Sequence, residues 1–270
     1  MPTLYPQDRT LQDFVEYYWV LDRSESLILH RESVLDFPSM SPEVILLLRG
    51  HLDYTYRGRT QTAHKSILFG YIGGGVLIDP AALHQGIIIK FKDRGLAAVA
   101  PFLQGPRPDI FSTSVTPAAV AFGPSLLTLE ARLRNTPLDE AGPLLDTWLH
   151  RLFDANRPGI VYDLRQHLHP TASVQDLLTT ASTSPSSLTR YFRSCAGITP
   201  KHFLMRIRFA HVHAELFSTG NTDWFHYVAK YGYHDQNHLI KEVKRFSGWT
   251  PTQLAALPLM GSHRPEQVVA

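Results

Sequence analysis

The sequence predicts an α+β protein of two domains: an N-terminal, strand-rich small barrel with helices, and a C-terminal all-α domain. Three observations support this fold class. Short apolar runs separated by Gly, Pro and Asp fill the first part of the chain, apolar residues recur at helical spacing in the last part, and basic residues are concentrated there. The 270 residues suffice for two domains, which we expect at 1–157 and 158–258, with a tail at 259–270.

The predicted strands are compact or alternating apolar runs. Val44–Leu48 is continuous, and Leu52–Tyr56 alternates before the turn-like Arg57-Gly58. The remaining strand predictions are Ile67–Tyr71, Val76–Ile78 and Ile87–Phe91. Helical spacing follows at Leu96–Gln104, Ser125–Arg134 and Leu144–Phe153. Asn156-Arg157-Pro158-Gly159 is the expected linker, and Ile160–His169 the expected short helix after it.

The last third of the chain contains one apolar pattern twice, about fifty residues apart. Its first stripe is Val174, Leu177, Leu178 and Ala181 in one copy and Trp224, Tyr227, Val228 and Tyr231 in the other. After a turn comes a second stripe, formed by Leu188, Phe192 and Cys195, then by Leu239, Val243 and Phe246. Each copy ends in Gly-x-Thr-Pro, and Lys201–Phe217 between them lacks Gly and Pro. The pattern predicts tandem helix-turn-helix motifs joined by one long helix.

The second helix of each copy has a polar face suited to the major groove. Ser184-Pro185 and Asp235 are expected to begin these helices as N-caps. Residues near the start of each helix should face bases: Ser186, Thr189 and Arg190 in the first, and Asn237, His238 and Lys241 in the second. Arg193, Lys244 and Arg245 lie further along and are expected to contact phosphates. The alternative is a merely solvated face, which two matched copies disfavour.

The charge distribution agrees with a polyanionic partner for the C-terminal part. Residues 1–158 hold 15 Lys and Arg against 17 Asp and Glu, whereas residues 159–270 hold 11 against 7. Nine of the fourteen histidines also lie in the second part. The basic excess therefore coincides with the repeat.

These residues resemble the DNA-binding domain of the AraC-type transcriptional regulators over about residues 160–257. The segment from Gly232 to Pro251 resembles the family's signature in the second motif, and Arg208-Phe209 matches a pair in its connecting helix. The resemblance implies that both recognition helices enter successive major-groove segments of double-stranded DNA, about 34 Å apart. It places Ser186, Thr189, Arg190, Asn237 and Lys241 at base-facing positions. The departures are Leu178 and Val228 for alanine, Ser182 for glycine, Val243 for phenylalanine and Lys241 for arginine.

The resemblance also implies an N-terminal domain that senses an effector, dimerises, or both. The predicted strands are compatible with the small, cupin-like barrel that many members carry. Ile87–Phe91 followed by Gly95-Leu96-Ala97-Ala98 resembles a strand-to-helix step in one group of such sensor domains. A small-molecule effector, a second copy of the chain and RNA polymerase are thus candidate partners.

Two other classes of protein compete with a transcriptional regulator. An enzyme that uses the basic domain only for targeting is disfavoured, because His51, His64 and His84 are scattered in sequence and Gly73-Gly74-Gly75 precedes a strand and turn instead of a helix. His211 and His213 should lie on different helix faces. Cys195 lies on an apolar stripe and is expected in the core. We therefore expect no catalytic residue, metal or cofactor.

The second competing class is an architectural protein that binds DNA without sequence choice. Thr189 and Asn237, which are short polar side chains, favour sequence readout over pure charge.

The sequence predicts a cytoplasmic protein with no membrane partner. It has a single cysteine, no signal-peptide core near the N-terminus and no long apolar run.

Overall fold

A computed structural model describes residues 3–25, 34–36, 42–70, 74–92, 115–154, 169–196 and 198–257. Its strand-rich region comprises β1 Thr3–Leu4, β2 Val15–Asp22, β3 Val34–Asp36, β4 Glu43–Gly50, β5 Leu52–Tyr56, β6 Arg59–Ala63, β7 Ile67–Phe69, β8 Val76–Asp79, β9 Leu83–Phe91 and β10 Val115–Pro117. Strands β1-β2-β9-β4-β7-β10 form one sheet, and β3-β8-β5-β6 form a second. The pairings are antiparallel.

The two sheets share an apolar core. Ile45 and Leu47 of β4 are buried there with Leu52, Tyr54 and Tyr56 of β5. The alternate residues of β4, which are Val44, Leu46 and Leu48, are buried on its other face in a second cluster. Burial of both faces explains why β4 is a continuous apolar run, whereas β5, with one face outward, alternates.

Three helices follow the sheets: α1 Ala118–Phe122, α2 Pro124–Leu133 and α3 Gly142–Asp154. They bury Leu126, Leu129 and Leu145 in the same cluster as the second face of β4. A buried hydrogen bond ties α3 to the sheet, because the Tyr18 hydroxyl donates to Asp146 Oδ1 over 2.6 Å. The expected helices at Ser125–Arg134 and Leu144–Phe153 are thereby confirmed.

The C-terminal region is all α. Its helices are α4 Val174–Ala181, α5 Pro185–Ala196, α6 Pro200–Thr219, α7 Trp224–Lys230, α8 Gln236–Ser247 and α9 Pro251–Ala256. Helices α4 and α5 form the first predicted motif, α7 and α8 the second, and α6 is the long connecting helix. The connecting helix contacts α4, α5 and α8.

The predicted fold class is confirmed, with differences in individual elements. The five expected strands are present, although Ile67–Tyr71 is a strand only as far as Phe69. The other five strands, β1, β2, β3, β6 and β10, are not among the predicted ones. The burial of β2 does not alternate simply along its length, and β6, whose sequence is RTQTA, is a polar edge strand. Four predictions fall outside the described residues: the helix at 96–104, the linker at 156–159, most of the next helix (160–168) and the tail.

The two helix-turn-helix motifs are buried differently. Leu177, Leu188 and Phe192 of the first motif belong to the cluster that also contains β4 and α1–α3. Tyr227, Leu239, Val243 and Phe246 of the second motif form a separate cluster with α6 and α9. The first motif therefore shares a core with the strand-rich region, and the second has a core of its own. The boundary at residue 158 stays a prediction.

Candidate nucleic-acid interface

The first recognition helix, α5, begins where the Ser-Pro pair predicts. The Ser184 Oγ accepts a hydrogen bond from the Ser187 amide over 3.2 Å, and Pro185 is the first helical residue. The preceding helix ends at Ser182, whose φ of 45° and ψ of 46° lie in the left-handed region. Because a residue with a side chain is disfavoured in that region, the first turn carries local strain.

The polar face of α5 is directed to solvent. Leu188 and Phe192 are buried, whereas Ser186, Arg190 and Arg193 are exposed and Thr189 is half-buried. The predicted base-facing and phosphate-contacting residues of the first motif therefore share the face opposite the core. The side chain of Cys195 lies outside the described residues, and its burial stays a prediction.

The second recognition helix, α8, has the predicted aspartate cap. Asp235 Oδ1 accepts the His238 amide over 2.7 Å, and this backbone hydrogen bond holds the pKa of Asp235 below its usual value. Asn237 and Lys241 are exposed, as are Lys244 and Arg245 near the end of the helix. The predicted base-facing residues Asn237 and Lys241 therefore share the outer face of the helix with the predicted phosphate contacts Lys244 and Arg245.

His238 differs from the other predicted base-facing residues because it is turned partly inward. Its Nδ1 accepts a hydrogen bond from the His234 amide over 3.4 Å, and its Nε2 lies 3.8 Å from Glu242 Oε2. Its ring also packs edge-on against Tyr233, with centroids 5.3 Å apart. The side chain is 41% exposed, so it still reaches the surface.

A buried carboxylate fixes α8 against the connecting helix. Arg208 binds Glu242 through two hydrogen bonds, from Nε to Oε1 over 2.9 Å and from Nη2 to Oε2 over 3.1 Å. The Tyr233 hydroxyl donates to Glu242 Oε1 over 2.9 Å. Arg208 also donates to the Gly232 carbonyl in the turn, over 3.4 Å. In the sequence, Arg208 stands out only as part of the family resemblance. The burial of Glu242 is not predicted, because a charged residue in a helix usually faces solvent.

A second carboxylate fixes α7 against the other end of the connecting helix. Glu215 accepts from His226 Nε2 over 2.8 Å and Lys230 Nζ over 2.9 Å, and also from the Tyr231 hydroxyl. Burial by itself raises the pKa of Glu215, but the hydrogen bonds from Tyr231, Lys230 and His226 outweigh burial and lower the pKa to about 2. Both helices of the second motif are therefore tied to α6 by ionic contacts.

The cations of the two polar faces are available to a partner. Within the described part of the chain, Arg190, Arg193, Lys241, Lys244 and Arg245 form no ion pair. An α-helix fits the major groove, and these side chains can bind base edges and phosphates there. The geometry of both helices thus suits DNA.

The comparison with protein families bears on the C-terminal part of the chain. A family model described as a helix-turn-helix domain, of the AraC type, matches residues 177–256, which span both motifs. These residues are an AraC-type helix-turn-helix domain. This domain makes the chain a DNA-binding transcription regulator.

The chain also has similarity to several solved structures. ToxT from Vibrio cholerae is 10% identical, with a TM-score of 0.41 over 88% of this chain and 95% of that chain. ToxT with bound unsaturated fatty acid is 9% identical, with a TM-score of 0.41 over 93% and 96%. The AraC-like transcriptional activator CuxR is 14% identical, with a TM-score of 0.25 over 74% of each chain. No curated protein matches the chain.

The strand-rich region brings two histidines from different strand ends together. The His51 and His64 rings lie with centroids 5.2 Å apart. Among the described residues, no three His, Cys, Asp or Glu side chains are grouped so that they could hold a metal ion. Of the described helices, none has the length and apolar character needed to cross a bilayer.

We predict that Arg208→Ala destabilises the second motif by about 3–5 kcal/mol, because it leaves the Glu242 carboxylate buried without its cation. Urea denaturation followed by tryptophan fluorescence measures the change. The control is the exposed Arg193→Ala, which should change the free energy of unfolding by less than about 0.5 kcal/mol. If Arg208→Ala lowers the free energy of unfolding no more than the control does, the pair of Arg208 and Glu242 does not hold α8 in place.

Stability should also depend on Glu215 in acid. Because its folded pKa of about 2 lies below the ordinary value of 4.5, its ionised form stabilises the folded state. That contribution is complete above about pH 4.5 and is lost as the pH falls towards 2. Glu215→Gln should be less stable than the wild type at neutral pH, with the difference shrinking through this window in urea denaturation. The exposed Glu140→Gln should follow the wild type throughout, and a pH-independent difference for Glu215→Gln would contradict the account.

Proposed function

We propose that α5 and α8 read two successive major-groove segments of one duplex. Ser186, Thr189 and Arg190 contact bases in the first segment, and Asn237, His238 and Lys241 contact bases in the second. Arg193, Lys244 and Arg245 bind phosphates. The observation that carries this assignment is the exposure of one polar face on each helix, opposite a buried face that is held by the connecting helix.

The two helices contribute unequally in this proposal. Helix α8 has an aspartate cap, and its buried Glu242 is held by Arg208 and Tyr233. Helix α5 follows a turn with a left-handed serine at position 182. Because rigid positioning lowers the entropic cost of base contacts, we assign the larger share of sequence discrimination to α8.

We further propose that the strand-rich region controls occupancy of the DNA site. It is in contact with both motifs, through the cluster that contains Leu188 and through a hydrogen bond from the Gly75 amide to the Ser247 carbonyl over 3.0 Å. A small-molecule effector or a second copy of the chain that changed this region would therefore act directly on the recognition helices.

RNA polymerase is the proposed protein partner at the promoter. The cytoplasm is the proposed location of the chain.

The assignment of base and phosphate roles predicts different effects for Lys241→Ala and Arg193→Ala. Lys241→Ala should cost about 1–3 kcal/mol on a duplex selected by the wild type from a random pool, and less on a random duplex, because a base contact is lost. Arg193→Ala should weaken binding to both duplexes alike and make the slope of log affinity against log salt shallower by about 1.

Fluorescence anisotropy across a salt series measures both quantities. Both substituted residues are exposed, so neither change should unfold the chain. Equal losses on the two duplexes for Lys241→Ala would overturn its role in base contact. A wild-type chain that selects no sequence from the pool would overturn the proposed reading as a whole.

A further inference from the structure

One turn of the strand-rich region lies beside the second recognition helix. The Gly75 amide donates to the Ser247 carbonyl, at the last residue of α8, over 3.0 Å. Gly75 precedes Val76, whose partner across the β5–β8 ladder is Tyr56. Tyr56 is followed by the β5–β6 turn, Arg57-Gly58. The contact therefore places this turn next to the end of α8 that carries Lys244 and Arg245.

The guanidinium of Arg57 lies over the Tyr56 ring, 5.2 Å from its centroid. Burial raises the pKa of the Tyr56 hydroxyl, and the positive charges of Arg57 and Arg206 partly oppose this rise. Burial and the charges of Arg206 and Arg245 lower the pKa of His202 to about 4. The positive charges of the β5–β6 turn, of α6 and of α8 therefore act on the groups around this contact.

The conformation of Arg57 is unfavourable for its residue type. Arg57 has a φ of 51° and Gly58 a φ of 73°, as expected for the two central residues of a type I′ turn. Asn-Gly is the preferred sequence of such a turn, and a long side chain is disfavoured in the left-handed region. The arginine is exposed, so core packing does not account for it. An unfavourable residue on an exposed turn beside a DNA-binding helix indicates a functional role.

We propose that Arg57 adds a phosphate contact to the duplex beside the second recognition helix, so that the strand-rich region is part of the DNA-binding surface. This inference rests on the proposed function, since it requires α8 to lie in the major groove. Arg57, Lys244 and Arg245 then form one cationic rim along the phosphate backbone next to that groove. The added contact is electrostatic and independent of base sequence.

A contact of Arg57 with phosphate would link the position of the strand-rich region to the affinity of the chain for DNA. Any shift of the strand-rich region that breaks the contact between Gly75 and Ser247 would also withdraw Arg57 from the duplex. Affinity would fall on all sequences, while the base contacts of α8 remained available. The strand-rich region would then tune occupancy without changing the site that is recognised.

Arg57→Asn tests the proposal, because asparagine tolerates the left-handed conformation and removes the charge, together with the exposed contact between the guanidinium and the Tyr56 ring. In the full chain, this variant should keep the thermal stability of the wild type. It should bind both the selected and the random duplex about three- to tenfold more weakly, with a slope of log affinity against log salt shallower by about 0.9. Lys244→Ala, a phosphate contact of α8, should behave in the same way.

Arg132→Ala is the matched control, because Arg132 is also exposed but lies on α2, a helix that packs against β4. It should bind like the wild type. Unchanged or tighter binding by Arg57→Asn, together with a loss of affinity for Lys244→Ala, would overturn the role of Arg57. It would leave the placement of α8 on DNA standing. Unchanged binding by both Arg57→Asn and Lys244→Ala would overturn the placement of α8 on DNA.

Discussion

Four short helices carry the two recognition motifs, and all of them depend on the connecting helix α6 for their orientation. Helices α4 and α7 have 8 and 7 residues, and α5 and α8 have 12 each, lengths at which an isolated helix is marginal in water. Burial against the 20-residue α6 supplies the missing stability. The ionic contacts of Arg208 with Glu242, and of Lys230 with Glu215, fix the second motif more specifically than apolar packing alone.

The division of the core gives the two motifs different relations to the rest of the chain. The first motif is buried in the same cluster as β4 and α1–α3, so a rearrangement of those elements reaches α5 through packed side chains. The second motif has its own cluster and meets the strand-rich region through the hydrogen bond between Gly75 and Ser247. In this account, a rearrangement of the strand-rich region would act on α5 through packed side chains. It would act on α8 through the cationic rim formed by Arg57, Lys244 and Arg245.

Local signals explain what could be predicted from the sequence. The caps at Ser184 and Asp235, the apolar stripes and the Gly-free connecting helix each depend on a few neighbouring residues, and the structure has them. The burial of Glu242 could not be predicted, because it depends on Arg208, 34 residues away in sequence. The polar strand β6 lacks any apolar period, and it forms because β5 supplies its hydrogen-bonding partners. The proximity of Arg57 to α8 depends on how the two regions pack, which no sequence pattern encodes.

Hydroxyl-radical footprinting of the full chain on a duplex selected from a random pool tests the central claim most directly. Two recognition helices held by one connecting helix should protect two backbone segments on the same face of the duplex, with centres about 10 base pairs apart. A single protected segment, or two segments on opposite faces, would contradict the account that both helices enter successive major grooves of one duplex.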